Sequence, residues 1–193
     1  MNILFFRHGE STDDIDNQYG GWADFELTAA GKENIEKRIA LIIDLKITFQ
    51  KIYSSPLKRA LQTAGILSTK LSLDVEVCEF LKERNTYGIL SGMNKDEAKK
   101  KYPDLVRKSD KKEYVYGSER KADMISRVQK TIEILETTQY SSIIAVTHGN
   151  FMRFLMKELC EKEINKVGDG GFILTDISNG KINILTTDLI EFA

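Results

Sequence analysis

Cysteine and proline are both scarce in this 193-residue chain, which contains two residues of each. Cys78 and Cys160 show neither Cys-x-x-Cys spacing nor a cysteine-rich framework, so the sequence predicts isolated, reduced thiols. A chain of this length can bury about 70% of its unfolded surface, and it therefore needs no disulfide or metal for stability. We expect one domain over residues 1–193, in a cytoplasmic protein.

The chain also lacks an excess of either charge and any long apolar run. Its 28 basic and 29 acidic residues give a net charge of −1, which argues against general binding to nucleic acids or membrane surfaces. No segment approaches the roughly 20 apolar residues of a transmembrane helix. The composition does not determine the oligomeric state, and a homodimer stays open.

Histidine is equally scarce, and the two histidines occupy matching places in the chain. The apolar run Ile3–Phe6 leads into Arg7-His8-Gly9, and the run Ile143–Val146 leads into Thr147-His148-Gly149. Each run predicts a buried strand with a histidine at its carboxyl end. Open α/β sheets bind ligands at the carboxyl ends of their strands, so the pattern indicates one site that contains both histidines.

A third predicted strand, Lys51–Ser54, runs into a predicted helix that carries Arg59. Ser55 is a suitable N-cap for this helix, and Pro56 suits its first position. The start of a helix presents free backbone N–H groups that favour a phosphate, and an arginine adds a bidentate donor. The alternative is that Arg59 is an ordinary surface arginine.

Other patterns predict helices around a sheet and a hairpin near the C-terminus. Helices are expected after the N-cap Thr28, over Ala122–Leu135 and over Asn150–Leu159. Asn179-Gly180 lies between two alternating apolar runs, which is a strong signal for a hairpin and therefore for antiparallel strands.

One segment, Lys95–Lys112, is strongly basic, with eight basic residues against four acidic ones. The usual meaning of such a segment is a solvated helix face. The alternative is a basic lid over a substrate that carries an additional anionic group.

Two guanidinium groups and two imidazoles would form a cage for a dianion such as phosphate: Arg7, Arg59, His8 and His148. An imidazole can attack phosphorus and hold the phosphoryl group covalently, which divides hydrolysis into two steps. The other cage members would stabilise the charge of the transition state. A departing alkoxide needs a proton from a carboxylic acid, and composition leaves Glu10 and Glu83 both open for this role.

Four ordered motifs resemble those of the histidine phosphatase superfamily, also called the cofactor-dependent phosphoglycerate mutase-like family. They are Arg7-His8-Gly9-Glu10-Ser11, with Gly21-Trp22-Ala23-Asp24 and Leu27-Thr28-x-x-Gly31 after it; Ser54-Ser55-Pro56-Leu57-x-Arg59-Ala60-x-Gln62-Thr63-Ala64; Glu83-Arg84, Tyr87-Gly88, Ser91-Gly92 and Asn94-Lys95; and Thr147-His148-Gly149-Asn150. Arg-His-Gly alone would be a weak signal, but four motifs in the family's order are specific.

The resemblance implies a three-layer α/β/α fold with a mostly parallel central sheet. It implies that His8 is the phosphorylated nucleophile, that Glu83 is the acid, and that the phosphate pocket consists of Arg7, Arg59 and His148. Further substrate or phosphate contacts would come from Ser11, Gly21, Tyr87, Lys95, Gly149 and Asn150. The hydrolytic members of the family need no metal and no organic cofactor.

The chain departs from the family pattern in three places. Asp14 stands where the family commonly has asparagine, and a carboxylate there would repel phosphate unless it is turned away or protonated. Asn85-Thr86 replaces the single residue usually found before the tyrosine. The mutases carry a longer insertion with paired arginines for the substrate carboxylate, and Arg107-Lys108 is the nearest equivalent in this chain.

We therefore predict a phosphatase that hydrolyses a small phosphomonoester through a phosphohistidine on His8. The first alternative is a 2,3-bisphosphoglycerate-dependent phosphoglycerate mutase, which must exclude water between its half-reactions, and the short insertion argues against it. Two further alternatives are a non-catalytic phosphoester-binding module and a metal-dependent hydrolase. The latter would use both histidines with Asp13, Asp14 and Asp16.

Overall fold

The computed structural model describes residues 1–178 and 181–193. Its strands are β1 (Asn2–Arg7), β2 (Lys51–Ser54), β3 (Val75–Val77), β4 (Ser142–Thr147), β5 (Ile164–Ser178) and β6 (Lys181–Phe192). They form a sheet in the order β3-β2-β4-β1-β5-β6. The first four strands of this order run parallel, whereas β5 is antiparallel to β1 and β6 to β5. The predicted mixed sheet is therefore confirmed, while the predicted Asn179-Gly180 turn lies outside the described residues.

Helices lie on both faces of this sheet. In chain order they are α1 (Thr12–Ile15), α2 (Ala29–Asp44), α3 (Lys58–Leu71), α4 (Lys95–Lys101), α5 (Pro103–Asp110), α6 (Lys121–Glu136) and α7 (Gly149–Cys160). Helices α2 and α3 pack on one face, and α6 and α7 pack on the other. This arrangement confirms the three-layer α/β/α fold.

Side chains of strand β1 belong to the hydrophobic cores on both faces of the sheet. Ile3 and Phe5 belong to the core beneath α6 and α7, whereas Leu4 and Phe6 belong to the core beneath α2 and α3. An uninterrupted apolar run is what a strand buried on both faces requires. Burial of each of these side chains stabilises the fold by about 1.5–3 kcal/mol.

The register of β1 against β4 brings the two histidines together. Arg7 pairs with Thr147, and the next residue of each chain segment is a histidine. The chain then turns away from β1 at Gly9, where an added Cβ would lie 2.9 Å from Ile35 Cγ1. Glycine is therefore required at this close approach to α2, and both histidines stay at the carboxyl edge of the sheet.

The start of α3 differs from the prediction. The helix begins at Lys58 rather than at Pro56, because Leu57 is still extended. The Lys58 backbone N–H donates to Asp24 Oδ1 at 2.6 Å, so this cap comes from a distant loop rather than from Ser55. Arg59 is consequently in the first turn but only 2% exposed, which excludes the alternative of a surface arginine.

Other local predictions are confirmed. Thr28 Oγ1 accepts the Gly31 backbone N–H at 2.8 Å and so caps α2. Cys78 and Cys160 are free thiols. In the two described stretches of chain, no helix is both long and apolar enough to cross a membrane. One domain over residues 1–193 stays a prediction.

Candidate active site

The carboxyl ends of β1, β2 and β4 open into a polar cavity of about 340 Å³, here called the catalytic cavity. Five cationic side chains line it: Arg7, Arg59, Arg84, Lys95 and Arg153. Three carboxylates line it as well: Asp13, Asp14 and Glu83. The excess of cations favours an anionic ligand.

His8 lines this cavity with a neutral imidazole. Its Nδ1 lies 2.7 Å from the Gly9 carbonyl oxygen; because a carbonyl only accepts, Nδ1 carries the ring proton and Nε2 has the lone pair. Arg59 Nε donates to this Nε2 at 3.2 Å. Burial, followed by the charges of Arg59 and Arg7, holds the pKa of His8 well below its usual value. An unprotonated Nε2 is the form in which an imidazole acts as a nucleophile.

Hydrogen bonds to two backbone carbonyl groups fix the Arg59 side chain in the first turn of α3. Its Nη1 donates to the Ala23 carbonyl and its Nη2 to the Gly21 carbonyl, both at 3.0 Å. Gly21 adopts φ +61°, and an added Cβ would lie 2.7 Å from Ser91 Oγ, so only glycine fits there. These bonds orient the guanidinium towards His8.

His148 lies beside His8, with ring centroids 4.9 Å apart. Its Nε2 is 2.8 Å from Ser55 Oγ, and that hydroxyl oxygen also accepts the Leu57 N–H at 3.3 Å. His148 Nδ1 is buried and has no hydrogen-bond partner within the described residues. Burial, followed by the charge of Arg59, lowers the pKa of His148 well below its usual value.

Arg7 is oriented by the antiparallel strand β5. Its Nη1 donates to the Val167 carbonyl, and its Nη2 forms an ion pair with Asp169 Oδ1 at 2.8 Å. Its Nε is buried and has no acceptor among the described residues. Burial raises the pKa of Asp169, and the Arg7 charge opposes that rise.

Glu83 projects into the cavity beside the start of α7. Its Oε1 accepts the backbone N–H groups of Arg84 at 2.7 Å and Phe151 at 3.2 Å, and its Oε2 accepts that of Asn150 at 3.2 Å. Three backbone donors therefore hold one carboxylate in a defined orientation. Gly149 and Asn150, at the start of α7, also line the cavity.

Arg127 on α6 fixes the segment that carries Glu83. It donates to the carbonyl oxygens of Phe80, Lys82 and Glu83 at 2.7–3.2 Å. Its Nε and Nη2 also form a bidentate pair with Glu119 at 2.7 and 2.8 Å. Both partners of this pair are mostly buried, at 13% and 8% side-chain exposure, so Arg127 is a positioning residue for Glu83.

Glu10 and Ser11, from the first motif, are turned away from the catalytic cavity. Glu10 Oε1 accepts the Thr28 hydroxyl at 2.6 Å, and Glu10 is absent from the cavity lining. Of the two acid candidates, only Glu83 lines the catalytic cavity. Ser11 is fully buried, and its hydroxyl donates to Asp13 Oδ1 at 2.6 Å.

The third motif supplies the two remaining predicted contact residues. Tyr87 and Lys95 line the cavity, and Tyr19 packs against both of them. The Tyr19 ring centroid is 4.8 Å from that of Tyr87 and 5.9 Å from Lys95 Nζ. Burial, followed by the Glu83 charge, raises the pKa of Tyr87, so its hydroxyl is a donor at neutral pH.

Comparison with known proteins gives the family. A model of the histidine phosphatase superfamily (branch 1) matches residues 3–190. The chain belongs to the histidine phosphatase superfamily. The resemblance seen in the four motifs is thereby confirmed over almost the whole chain.

Two relatives of the chain are named as mutases. It is 32% identical to a 2,3-bisphosphoglycerate-dependent phosphoglycerate mutase from Buchnera aphidicola subsp. Cinara cedri, covering 93% of this chain and 90% of the relative. It is 30% identical to the mutase of that name from Elusimicrobium minutum, covering 81% and 77%.

Solved structures share the fold. The alpha-ribazole phosphatase from Shigella flexneri superimposes with a TM-score of 0.82 at 22% identity, covering 97% of this chain and 96% of that one. A phosphoserine phosphatase variant from Entamoeba histolytica, in complex with phosphoserine, gives a TM-score of 0.72 at 23% identity, covering 96% and 95%.

Asp14, one of the expected departures from the family pattern, makes hydrogen bonds within its own segment. Its Oδ2 accepts the Ser11 backbone N–H at 3.0 Å and lies 3.3 Å from the Ser11 hydroxyl. The carboxylate thus caps the short helix α1 while it lines the cavity. Within the described residues no group of three or more histidine, cysteine or acidic side chains is arranged to hold a metal ion.

The sequence analysis did not assign to the site two further arginines that line the cavity. Arg84 and Arg153 line the cavity. Arg84 adjoins Glu83 in the third motif, and Arg153 lies four residues after Gly149, on the same face of α7, so both could have been found. Arg107 and Lys108 are exposed outside the cavity lining, where Arg107 pairs with Asp104.

The basic segment is mostly solvated, as its usual meaning predicts. Lys99, Lys100 and Lys101 are exposed. The lysines at its two ends are different: Lys95 lines the catalytic cavity, and Lys112 lines a neighbouring one. A basic lid over the substrate stays a prediction, in which these two lysines would take part.

Proposed function

We propose that the protein is a phosphatase that hydrolyses a small phosphomonoester through a phosphohistidine on His8. The observation that carries this proposal is a pair of buried donors, Arg7 Nε and His148 Nδ1, that lack acceptors among the described residues. Buried polar groups are normally hydrogen-bonded, and phosphate oxygens would supply the acceptors. His8 lines the same cavity, and its Nε2, which accepts the Arg59 Nε–H at 3.2 Å, becomes free to attack once that N–H turns to a phosphate oxygen.

In the first step, His8 Nε2 attacks phosphorus, forming a P–N bond as the bond to the alcohol oxygen breaks. Glu83 gives its proton to that departing oxygen. Arg7, Arg59 and His148 bind the equatorial oxygens and stabilise their charge in the transition state. Ser55 supports this role, because its hydroxyl can donate to His148 Nε2 and leave the ring proton on Nδ1.

In the second step, water attacks the phosphohistidine. The Glu83 carboxylate accepts a proton from that water, the P–N bond breaks, and Nε2 regains its lone pair. Phosphate leaves, and both residues return to their starting states. No step requires a metal ion or an organic cofactor.

Further residues hold the substrate in this proposal. The start of α7, with Gly149 and Asn150, faces the phosphate, while Tyr87 and Lys95 contact the alcohol part. Gly21 acts through its carbonyl on Arg59. Ser11 acts indirectly, since its hydroxyl holds the Asp13 carboxylate.

A phosphoglycerate mutase is the second candidate, favoured by the mutase names of relatives at 30% and 32% identity. It would use the same phosphohistidine but return the phosphoryl group to an alcohol instead of water. The exposed positions of Arg107 and Lys108 weigh against it, because these residues would have to bind the substrate carboxylate.

The test is phosphate release from a panel of phosphomonoesters in EDTA, with 3-phosphoglycerate included and its isomer monitored. Release in chelator, lost in His8→Ala, is the expected result. Isomer formation without phosphate release would favour the mutase. A His8→Ala variant that turns over like the wild type would overturn both candidates.

A further inference from the structure

A second cavity of about 490 Å³, here called the side cavity, adjoins the catalytic cavity. Arg84, Tyr87 and Asn150 line both cavities. A phosphomonoester with its phosphate at His8 and an alcohol part of several carbons would pass these three residues. The side cavity is therefore the place for the far end of the substrate.

The side cavity has an excess of positive charge. Its cationic lining residues are Arg84, Lys112, Arg120 and Lys121, and its acidic ones are Glu113 and Glu119. Glu119 is already neutralised by its bidentate pair with Arg127. In the described part of the chain, Arg120 and Lys121 have no comparable carboxylate partner, so their charges remain available to a ligand.

Arg84 stands at the junction of the two cavities with an unused donor. Its guanidinium lies over the Phe154 ring at 5.3 Å, and its Nη2 is 3.4 Å from the Glu119 carbonyl oxygen. Its Nε is buried, with no acceptor among the described residues. Such a donor is normally satisfied, and an anionic group of the ligand would satisfy it.

The position of Arg120 is also partly fixed. Its guanidinium lies 5.9 Å from the Tyr114 ring, in cation–π geometry. Arg120 is the N-cap of α6, and Lys121 is the first residue of that helix. Two adjacent cationic side chains are thus attached to the start of a helix at the edge of the side cavity.

We propose that the alcohol part of the substrate carries a second anionic group, a carboxylate or a phosphate, which binds in the side cavity to Arg84, Arg120 and Lys121. This inference rests on the proposed function, because it concerns the substrate of the same reaction. It places the recognition of that group on the start of α6 rather than on the basic segment.

The test compares matched substrates that differ in one anionic group. The carboxylate pair is 6-phosphogluconate and sorbitol 6-phosphate, and the phosphate pair is fructose 1,6-bisphosphate and fructose 6-phosphate. The readout is the ratio of kcat/KM for the anionic member to that for its partner. The pair with the larger ratio shows which anion the side cavity prefers.

The variant is Arg120→Gln with Lys121→Gln. Its control is Arg107→Gln with Lys108→Gln, which removes the same two charges from an exposed face that lines neither cavity. We expect a wild-type ratio well above one in at least one pair. The test variant should lower this kcat/KM ratio about tenfold, as expected for the loss of two partly exposed ion pairs. The control variant should retain the wild-type ratio.

Other outcomes separate this inference from the proposed function. Phosphate release with ratios near one in both pairs would overturn the inference and leave the phosphatase standing. An equal fall in the test and control variants would also overturn it, because a long-range charge effect would then explain the preference. Absence of release from every substrate would contradict the proposed function and the inference together.

Discussion

Replacement of Glu83 by glutamine removes the proposed acid while it preserves the size of the side chain. The carboxylate accepts three backbone N–H groups, two on Oε1 and one on Oε2. A glutamine has one amide oxygen, so at least one of these donors would face the NH2 group. One unsatisfied buried donor costs about 1–3 kcal/mol, and each kcal/mol lowers the Tm of a chain this long by about 2–4 °C.

The effect on turnover should depend on the leaving group. For an alkyl phosphate, whose alkoxide needs a proton, we expect Glu83→Gln to lower kcat by roughly 100- to 10,000-fold, the usual contribution of a general acid. For p-nitrophenyl phosphate, whose leaving group departs without a proton, the loss should be much smaller. The assay is the ratio of the two kcat values in variant and wild type at equal fractions of folded protein.

The matched control is Glu10→Gln, which makes the same chemical change at the other acid candidate. Glu10 bonds to Thr28 and does not line the catalytic cavity, so the leaving-group ratio should equal that of the wild type. Equal losses on both substrates in Glu83→Gln would refute the role of proton donor. The same would follow if Glu10→Gln alone changed the ratio.

Three further predictions concern stability and substrate affinity. Arg127→Met leaves the Glu119 carboxylate buried without its partner and should lower the free energy of unfolding by about 3–5 kcal/mol. In denaturant unfolding, the double variant Arg127→Met with Glu119→Leu should recover much of this loss. If the double variant recovers none of it, the assigned pair is refuted. Burial lowers the pKa of His8 and His148, so below pH 6.5 the unfolded chain binds more protons than the folded chain. The free energy of unfolding should therefore fall with decreasing pH, by up to about 1.4 kcal/mol per pH unit for each histidine. A flat profile between pH 6.5 and the titration range of carboxylates would contradict their neutral state. Asp14→Asn keeps an oxygen acceptor for the Ser11 N–H but removes a negative charge from the cavity. Steady-state kinetics should therefore show a lower KM for the variant. An unchanged KM would mean that the capping carboxylate does not repel the substrate.

The parts of this fold that are encoded locally could be predicted from the sequence. Apolar runs of four residues predicted β1 and β4. Their positions also predicted that the two histidines lie at the carboxyl ends of these strands. Thr28 was recognisable as a cap because its partner Gly31 lies three residues away. In each case, the signal and the structure that it specifies lie within a few residues of each other.

Contacts between distant segments could not be predicted in this way. The cap of α3 is Asp24, which lies 34 residues before its partner Lys58. Arg7 is oriented by Asp169 on β5, and no pattern around either residue indicates the pair. Such contacts depend on the three-dimensional packing of the sheet and its loops, whereas turn and capping signals act over a few residues.

The side cavity illustrates the same limit for function. The excess of lysine and arginine in Lys95–Lys112 drew attention to that segment, yet most of its charges are solvated. Arg120 and Lys121, which line the side cavity, belong to no basic run. Their significance comes from the position of α6 beside Arg84, which only the folded chain reveals.

The most direct test of the account is to trap the phosphorylated protein during turnover. Wild-type protein would be mixed rapidly with its fastest phosphomonoester and quenched in alkali, in which phosphohistidine survives, before peptide mass spectrometry. The account predicts one phosphoryl group on His8, formed and lost at rates that match turnover. Phosphorylation of a different residue, or steady turnover with no phosphorylated protein at any quench time, would contradict it.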